Sequence, residues 1–188
     1  MNADGRRLAK TLAFLLDYPS GSWRAELFDY RRLLTTTGEK NQRAVVGNFI
    51  AYSRGCSPVE QQEMYTAAFD LEPAYSLNLT YHLLGEGEER GKVLANLLRL
   101  YRQQGFDYGG GELPDYLPMV LEFLALCPNP EEYPLLRSCL GVAGTLAERL
   151  QEQDHPYAGL LGLAAGILSP SSAFQGEAMR QEDDNATD

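Results

Sequence analysis

Apolar residues recur at intervals of three and four positions along most of this chain, and that spacing restricts the fold more than any other feature. The first such stripe consists of Leu8, Leu12, Leu15 and Leu16, which share one face of an α-helix. The alternation of apolar and polar residues between hairpin turns that is typical of β-strands does not occur. The sequence therefore predicts an all-α protein.

About eight or nine stretches carry this period, a number that fits a single-domain helical bundle. The predicted helices cover approximately residues 8–18, 22–34, 39–52, 57–69, 75–84, 88–104, 115–124, 129–153 and 157–168. We expect residues 1–168 to form one domain, because a chain of this size can close one sizeable core. Residues 169–188 have no period and are rich in Ser, Gly, Gln, Glu and Asp, which predicts an acidic, disordered tail.

Two helix starts have the sequence of a capping box. Ser57 is a candidate N-cap, Pro58 occupies the first helical position, and Glu60 follows three residues after the serine. This arrangement satisfies backbone N–H groups that a helix start leaves without partners. The same pattern recurs at Asn129, Pro130 and Glu132. We therefore predict helices that begin at both places.

The charge of the chain limits its partners. Sixteen basic and 26 acidic side chains give a formal net charge of −10, which nucleic acids and anionic membranes repel. The basic clusters are short, at Arg6, Arg7 and Lys10 and at Arg31 with Arg32. No apolar run approaches the length of about 18 residues that a membrane-spanning helix needs. We expect a cytoplasmic protein that binds neither nucleic acid nor membrane.

Residues that carry catalytic or metal chemistry are scarce. The chain has two histidines, His82 and His155, and three widely spaced cysteines, so the sequence predicts neither a metal site nor a disulfide framework. Nucleophile-elbow, P-loop and dinucleotide-binding motifs are missing. Pairs of carboxylates lie in first helical turns, where they complement the helix dipole. We expect a protein without enzymatic activity, metal or cofactor of its own.

One segment is unusual in its composition. Residues 112–124 read ELPDYLPMVLEFL and place two prolines four positions apart at the opening of an apolar helix. Asp115 is a candidate cap, which would put Pro118 at the third helical position, where its missing N–H costs little. Tyr116 and Phe123 supply the large, rigid contact area that is typical of binding surfaces. A well-capped core helix would explain the prolines equally well.

The run ELPDYLPMVLEFLA at residues 112–125 closely resembles a signature of the respiratory nitrate reductase molybdenum cofactor assembly chaperones, the NarJ or delta subunit family. Other pieces agree with that family in order and spacing. They are LLDYP at 15–19, YTAAFDL at 65–71, YSL at 75–77, HLLGE at 82–86, and Arg90-Gly91 followed by Leu97, Leu98, Tyr101, Gly105 and Phe106. The resemblance covers about residues 8–150.

This resemblance implies a TorD-like redox-enzyme maturation chaperone with an all-α fold. Its partner would be the catalytic (alpha) subunit of a membrane-bound nitrate reductase, bound through its N-terminal segment. The chaperone would keep that subunit competent for insertion of its molybdenum cofactor, delay docking to the membrane, and leave the finished enzyme. An apolar groove that accepts an amphipathic peptide helix would fit this role.

Within such a groove we predict direct client contacts near the opening of the helix at Pro114. The predicted apolar contacts are Leu113, Tyr116, Leu117 and Phe123. Asp115 or Glu122 would meet basic client residues, and Tyr75 and His82 are candidates of second rank. Three alternatives stay open: a helical adaptor or scaffold for another complex, a small helical enzyme, and a protein that binds the molybdenum cofactor directly.

Overall fold

The structure is a computed structural model that describes residues 1–35, 39–107, 109 and 111–168. The predicted tail at 169–188 therefore lies outside the described residues. Within the described part the chain forms nine α-helices and two short 3-10 turns, at Pro73–Tyr75 and Pro130–Glu132. The helices are α1 Ala3–Leu15, α2 Trp23–Thr35, α3 Lys40–Gly55, α4 Pro58–Phe69, α5 Leu79–Leu84, α6 Glu88–Gln103, α7 Leu117–Leu126, α8 Pro134–Gln151 and α9 Ala158–Gly166. The all-α prediction is confirmed.

The helix start at Ser57 has the predicted capping box. The Glu60 amide donates to the Ser57 hydroxyl over 3.2 Å, and the Ser57 amide donates to the Glu60 carboxylate over 2.6 Å. Two backbone donors that the helix leaves free are thereby satisfied reciprocally. Pro58 occupies the first helical turn, where its missing N–H removes no bond.

The second predicted capping box, at Asn129, does not start an α-helix. Pro130–Glu132 form a single 3-10 turn, the Asn129 side chain makes no capping bond, and α8 begins only at Pro134. The reason is Pro134 itself, because the residue before a proline disfavours the α conformation. Tyr133 has extended backbone angles, φ −107° and ψ 96°. The prediction of a helix with its cap at Asn129 and its first residue at Pro130 was therefore wrong by four residues.

The core lies between two helix pairs. α1 packs along α7, and α8 packs along α9, with α5 against α8 and α3 against α9. The fully buried leucines that join these layers are Leu12, Leu15, Leu16, Leu79, Leu97, Leu117, Leu121, Leu124, Leu136, Leu160 and Leu161. Each such side chain contributes about 1.5–3 kcal/mol of burial free energy. None of the described helices is long and apolar enough to cross a bilayer.

An aromatic cluster closes the core beneath the ends of α1 and α4. The ring of Tyr157 lies 4.9 Å from that of Phe49, 5.0 Å from Phe69 and 5.9 Å from Tyr65. The ring of His155 stacks on that of Tyr157 at 5.7 Å. These edge and stacked contacts add to the area they bury. They hold Tyr65, which belongs to the candidate site, in a fixed position.

Arg6 links the start of the chain to the end of α7. Its guanidinium donates to the carbonyls of Ala125, Cys127 and Pro128 over 3.2, 2.6 and 2.8 Å. A cation at this position satisfies carbonyls that a helix end leaves free and complements the helix dipole. Arg6, one of the three basic residues of the N-terminal cluster, therefore has a structural role within the fold.

Candidate functional site

The unusual proline-rich segment forms a turn from Leu113 to Tyr116 and becomes helical at Leu117. Tyr116 has φ −62° and ψ 123°, and it precedes α7 without a side-chain capping bond. The Leu79 amide donates to the Asp115 carbonyl over 3.1 Å, and the Leu117 amide donates to the Leu77 carbonyl over 2.9 Å. Asn78 and Tyr116 thus form an isolated antiparallel bridge, which fastens the entry of α7 to the entry of α5.

Asp115 caps a different helix from the one we predicted. Its Oδ2 accepts from the amide of Thr80 over 3.0 Å and from the Thr80 hydroxyl over 2.5 Å. Arg90 on α6 adds an ion pair to the same oxygen at 3.3 Å. The carboxylate is completely buried and lies on the first turn of α5. The predictions that Asp115 caps α7 and that Pro118 stands third in that helix were therefore wrong.

Tyr116, the next residue, is directed the other way. Its hydroxyl donates to Oδ1 of Asp17 over 3.0 Å and lies 2.6 Å from the hydroxyl of Tyr65. Tyr65 also reaches the carbonyl of Leu16 over 3.2 Å. Burial, the neighbouring hydroxyl of Tyr65 and the charge of Asp17 all raise the pKa of Tyr116 well above its usual range. Both hydroxyls therefore stay protonated and act as donors at every ordinary pH.

These bonds bring together segments that are far apart in the sequence. Asp17 follows α1, Tyr65 lies on α4, and Tyr116 opens α7. The family resemblance includes all three segments, whereas the sequence predicts contacts only in the third. The prediction did not include Asp17 and Tyr65. Their two segments each contain a tyrosine and an aspartate within a few residues of each other, and that pattern could have indicated them.

Accessible apolar and acidic side chains surround this junction. Tyr18 packs its ring edge-on against Tyr65 at 5.4 Å and is 39% exposed. Leu113 is 40% exposed and accepts at its carbonyl from the amide of Tyr116 over 3.0 Å. The carboxylates in electrostatic reach of Tyr65 are those of Asp17, Asp70 and Glu112. Asp17, Tyr18, Glu112, Leu113, Tyr116 and Glu122 are called the Tyr116 surface below.

The predicted contacts separate into three groups. Leu113 and Glu122 are exposed and Tyr116 is half-buried, so these three are accessible on one surface. Leu117, Phe123 and Asp115 are completely buried, so they are not accessible on that surface. Tyr75 accepts at its hydroxyl from Gln153 over 2.6 Å, and His82 Nε2 lies 2.7 Å from the Ser76 carbonyl. These bonds join Tyr75 to the residues that follow α8 and His82 to the loop before α5.

Glu122 is the single charged residue of α7, and the fold does not favour its charge. Partial burial, followed by the nearby charge of Asp17, raises the pKa of its carboxyl above the usual 4.5, although Lys10 opposes this. A carboxyl whose pKa is raised in the folded state stabilises that state at low pH, and the contribution is lost as pH rises. At neutral pH the ionised Glu122 therefore destabilises the fold.

We expect Glu122→Gln to stabilise the folded protein at pH 7 and to have a smaller effect at pH 4, where the carboxyl is increasingly protonated in both states. Urea unfolding at the two pH values measures this difference. Glu148→Gln on the exposed side of α8 is the matched control. An equal gain at both pH values would contradict the inferred cost of the charge.

The described residues offer no group of three or more His, Cys, Asp and Glu side chains that could hold a metal ion. The three cysteines are free, with Cys127 and Cys139 buried and Cys56 partly exposed. Burial raises the pKa of the Cys139 thiol to about 12, which keeps it in its unreactive protonated form.

Comparison with known proteins gives a consistent result. The profile of the family described as "Nitrate reductase delta subunit" matches residues 40–161. The chain is 36% identical over 169 residues to the "Probable nitrate reductase molybdenum cofactor assembly chaperone NarJ" of Bacillus subtilis (strain 168), a match that covers 89% of this chain and 92% of that protein.

Two further relatives come from Escherichia coli (strain K12). The "Nitrate reductase molybdenum cofactor assembly chaperone NarJ" is 32% identical over 79% of this chain, and the match spans 64% of that protein's length. The "Probable nitrate reductase molybdenum cofactor assembly chaperone NarW" is 30% identical over 67% of this chain, and the match spans 56% of that protein's length. The profile match and the extent of these identities show that the chain belongs to the nitrate reductase delta subunit family.

Proposed function

We propose that this protein is a molybdenum cofactor assembly chaperone for nitrate reductase, and that it binds the N-terminal segment of the catalytic subunit at the Tyr116 surface. Relatives that match most of the chain carry the name of such a chaperone. The observation that supports the location is the convergence of three family-like segments on one hydrogen-bonded junction, Asp17–Tyr116–Tyr65. On this proposal the protein is not an enzyme and acts in the cytoplasm before the client reaches the membrane.

The chemistry of the surface suits a basic amphipathic helix. Tyr18 and Leu113 expose apolar area, and Asp17, Glu112 and Glu122 add negative charge around it. Such a helix docks its apolar face and gains orientation and encounter rate from the surrounding charges. The net charge of −10 acts in the same direction over a longer range.

The buried members of the predicted set have a supporting function in this proposal. Leu117 and Phe123 are buried core residues of α7, and Asp115 fixes the chain just before Tyr116. Leu113, Tyr116 and Glu122 remain proposed direct contacts, and Asp17 and Tyr18 join them. Tyr75 and His82 stay proposed contacts of second rank, in case the client extends toward α5.

Cofactor insertion would depend on the client and not on a cofactor site in the chaperone. Molybdopterin cofactors carry phosphates, which basic side chains bind best. Arg90, the arginine beside Asp115, is already engaged with that carboxylate and with Thr80. We therefore propose that the chaperone holds the client open for insertion and does not itself carry the cofactor.

We expect Tyr116→Ala to weaken client binding by roughly ten- to a hundredfold, the range typical of a buried aromatic anchor. Calorimetric titration with a synthetic peptide of about the first 15 residues of the catalytic subunit from the same genome measures it. Binding of the native peptide should show a negative heat capacity change, and a scrambled peptide should not bind.

Tyr52→Ala is the matched control, because Tyr52 is an exposed tyrosine of α3 outside the Tyr116 surface. The affinity of this variant for the peptide should equal that of the native chain. Equal affinity of Tyr116→Ala and the native chain would move the client site elsewhere. If the native chain ignored the peptide but co-purified with unrelated proteins, the adaptor function would take the place of the chaperone function.

A further inference from the structure

The ion pair between Asp115 and Arg90 is not part of the Tyr116 surface. Asp115 is completely buried, and the side chain of Arg90 is only 14% exposed. Three donors converge on one carboxylate oxygen: the Thr80 amide, the Thr80 hydroxyl and Arg90 Nη2. Arg90 Nε also donates to the Thr80 hydroxyl over 3.2 Å. The three side chains thus form a closed polar triangle.

This triangle is not arranged for maximal stability. The second oxygen of Asp115 is buried and has no hydrogen-bond partner among the described residues. A buried acceptor without a partner costs free energy, and apolar residues of similar size often replace a buried ion pair without loss. Buried ionic groups are best attested where they fix one register among several. The triangle has the properties expected of such a device.

The register that it fixes is that of the chain entering α7. Asp115 lies in the turn before α7, and its side chain and that of Tyr116 bond to different parts of the fold. Asp115 points to α5 and α6, while Tyr116 reaches Asp17 and Tyr65. The Tyr101 hydroxyl holds the preceding Pro114 carbonyl over 2.6 Å. With Asp115 anchored, the Tyr116 hydroxyl has one position in which its bonds of 3.0 and 2.6 Å can form.

We propose that Asp115 and Arg90 are positioning residues for client binding, which act through Tyr116 and do not contact the client. This inference rests on the proposed binding of the client segment at the Tyr116 surface. On this proposal Asp115 does not pair with basic client residues, which is the role that the sequence predicted for it. The charges that meet the client are then those of Asp17, Glu112 and Glu122.

The test is a double-mutant cycle on binding of the client peptide. Asp115→Asn keeps an acceptor for the Thr80 amide but removes the ion pair, and Tyr116→Phe removes only the hydroxyl that the pair positions. We expect each single variant to lose about tenfold in affinity, and the double variant to lose little more than either, because residues that act as one unit are not additive. Additive losses would overturn the proposal.

A second readout separates positioning from mere stability. Leu161→Ala, a core change in α9 far from the Tyr116 surface in sequence, serves as the destabilised control, measured where all variants are folded. Its affinity should match that of the native chain. NMR of ring-labelled tyrosine should show a shifted Tyr116 signal in Asp115→Asn and an unshifted one in Leu161→Ala.

The outcomes distinguish the two proposals. Tight binding by the native chain and equally tight binding by Asp115→Asn would overturn the positioning role alone. Failure of the native chain to bind the peptide would overturn the proposed client site and, with it, the positioning role. A loss of affinity in Asp115→Asn with an unchanged Tyr116 signal would likewise contradict an action through Tyr116.

Discussion

Phe123→Ala is expected to lower the free energy of unfolding by about 3–5 kcal/mol, as large-to-small changes of core aromatics do. The ring of Phe123 is completely buried. It lies 4.6 Å from the ring of Tyr101 and 5.7 Å from that of Phe106. Removal of the ring leaves a cavity between α6 and α7 that rigid helices cannot fill. The loss would be measured by urea unfolding monitored by circular dichroism.

The same helix offers a matched control for this change. Leu126 is 69% exposed and lies three residues further along α7, so Leu126→Ala should change stability by no more than about 0.5 kcal/mol. Client binding by Phe123→Ala, measured where the variant is folded, should stay close to that of the native chain. A variant of undiminished stability that has lost client binding would instead make Phe123 a direct contact.

This contrast shows how far the sequence alone can define a site. α7 reads LPMVLEFLAL and has a single charged residue, Glu122. A helix that is apolar nearly all round is predicted to be buried, but the pattern does not say which residues reach the surface. We therefore predicted Leu117 and Phe123 as contacts, together with Tyr116. Only the packed fold shows that Leu117 and Phe123 lie inside.

A helix start can be predicted from the sequence where neighbouring residues alone determine it. Ser57 and Glu60 satisfy each other across one turn, so the sequence predicts that start correctly. Asn129 begins a similar sequence pattern but does not start an α-helix, because Pro134 interrupts the helix before it can form. Asp115 also looked like a cap for its own helix. Its true partner, Thr80, is 35 positions away, and no spacing rule within one helix reveals a cap supplied from another segment.

The Tyr116 surface depends on such long-range contacts throughout. Tyr116 and Asp17 are 99 positions apart in the sequence, and Tyr65 is 51 positions from Tyr116. The family resemblance included all three segments but gave no physical link between them. Periodicity assigned each of them to a separate helix end. The physical reason for their joint occurrence, one hydrogen-bonded junction, follows only from the fold.

Arg90→Ala is expected to destabilise the protein as strongly as the loss of Phe123, by about 3–5 kcal/mol, because it leaves a buried carboxylate without its counter-charge. Arg90 supplies the ion pair to Asp115 at 3.3 Å, a bond to Thr80, and a cation 5.9 Å from the centre of the Tyr81 ring. Urea unfolding at pH 7 measures the loss. Lys92→Ala is the control on the same helix, since its ion pairs with Glu88 and Glu89 are exposed and should contribute little.

The double variant Arg90→Ala with Asp115→Asn decides whether the uncompensated charge is the cause. Asparagine keeps an acceptor for the Thr80 amide but carries no charge, so the double variant should recover part of the stability that Arg90→Ala alone loses. Loss of packing by the arginine stem would give no such recovery, since the stem is missing from both variants. A double variant that is less stable than Arg90→Ala would show that Arg90 stabilises the fold by contacts other than its pair with Asp115.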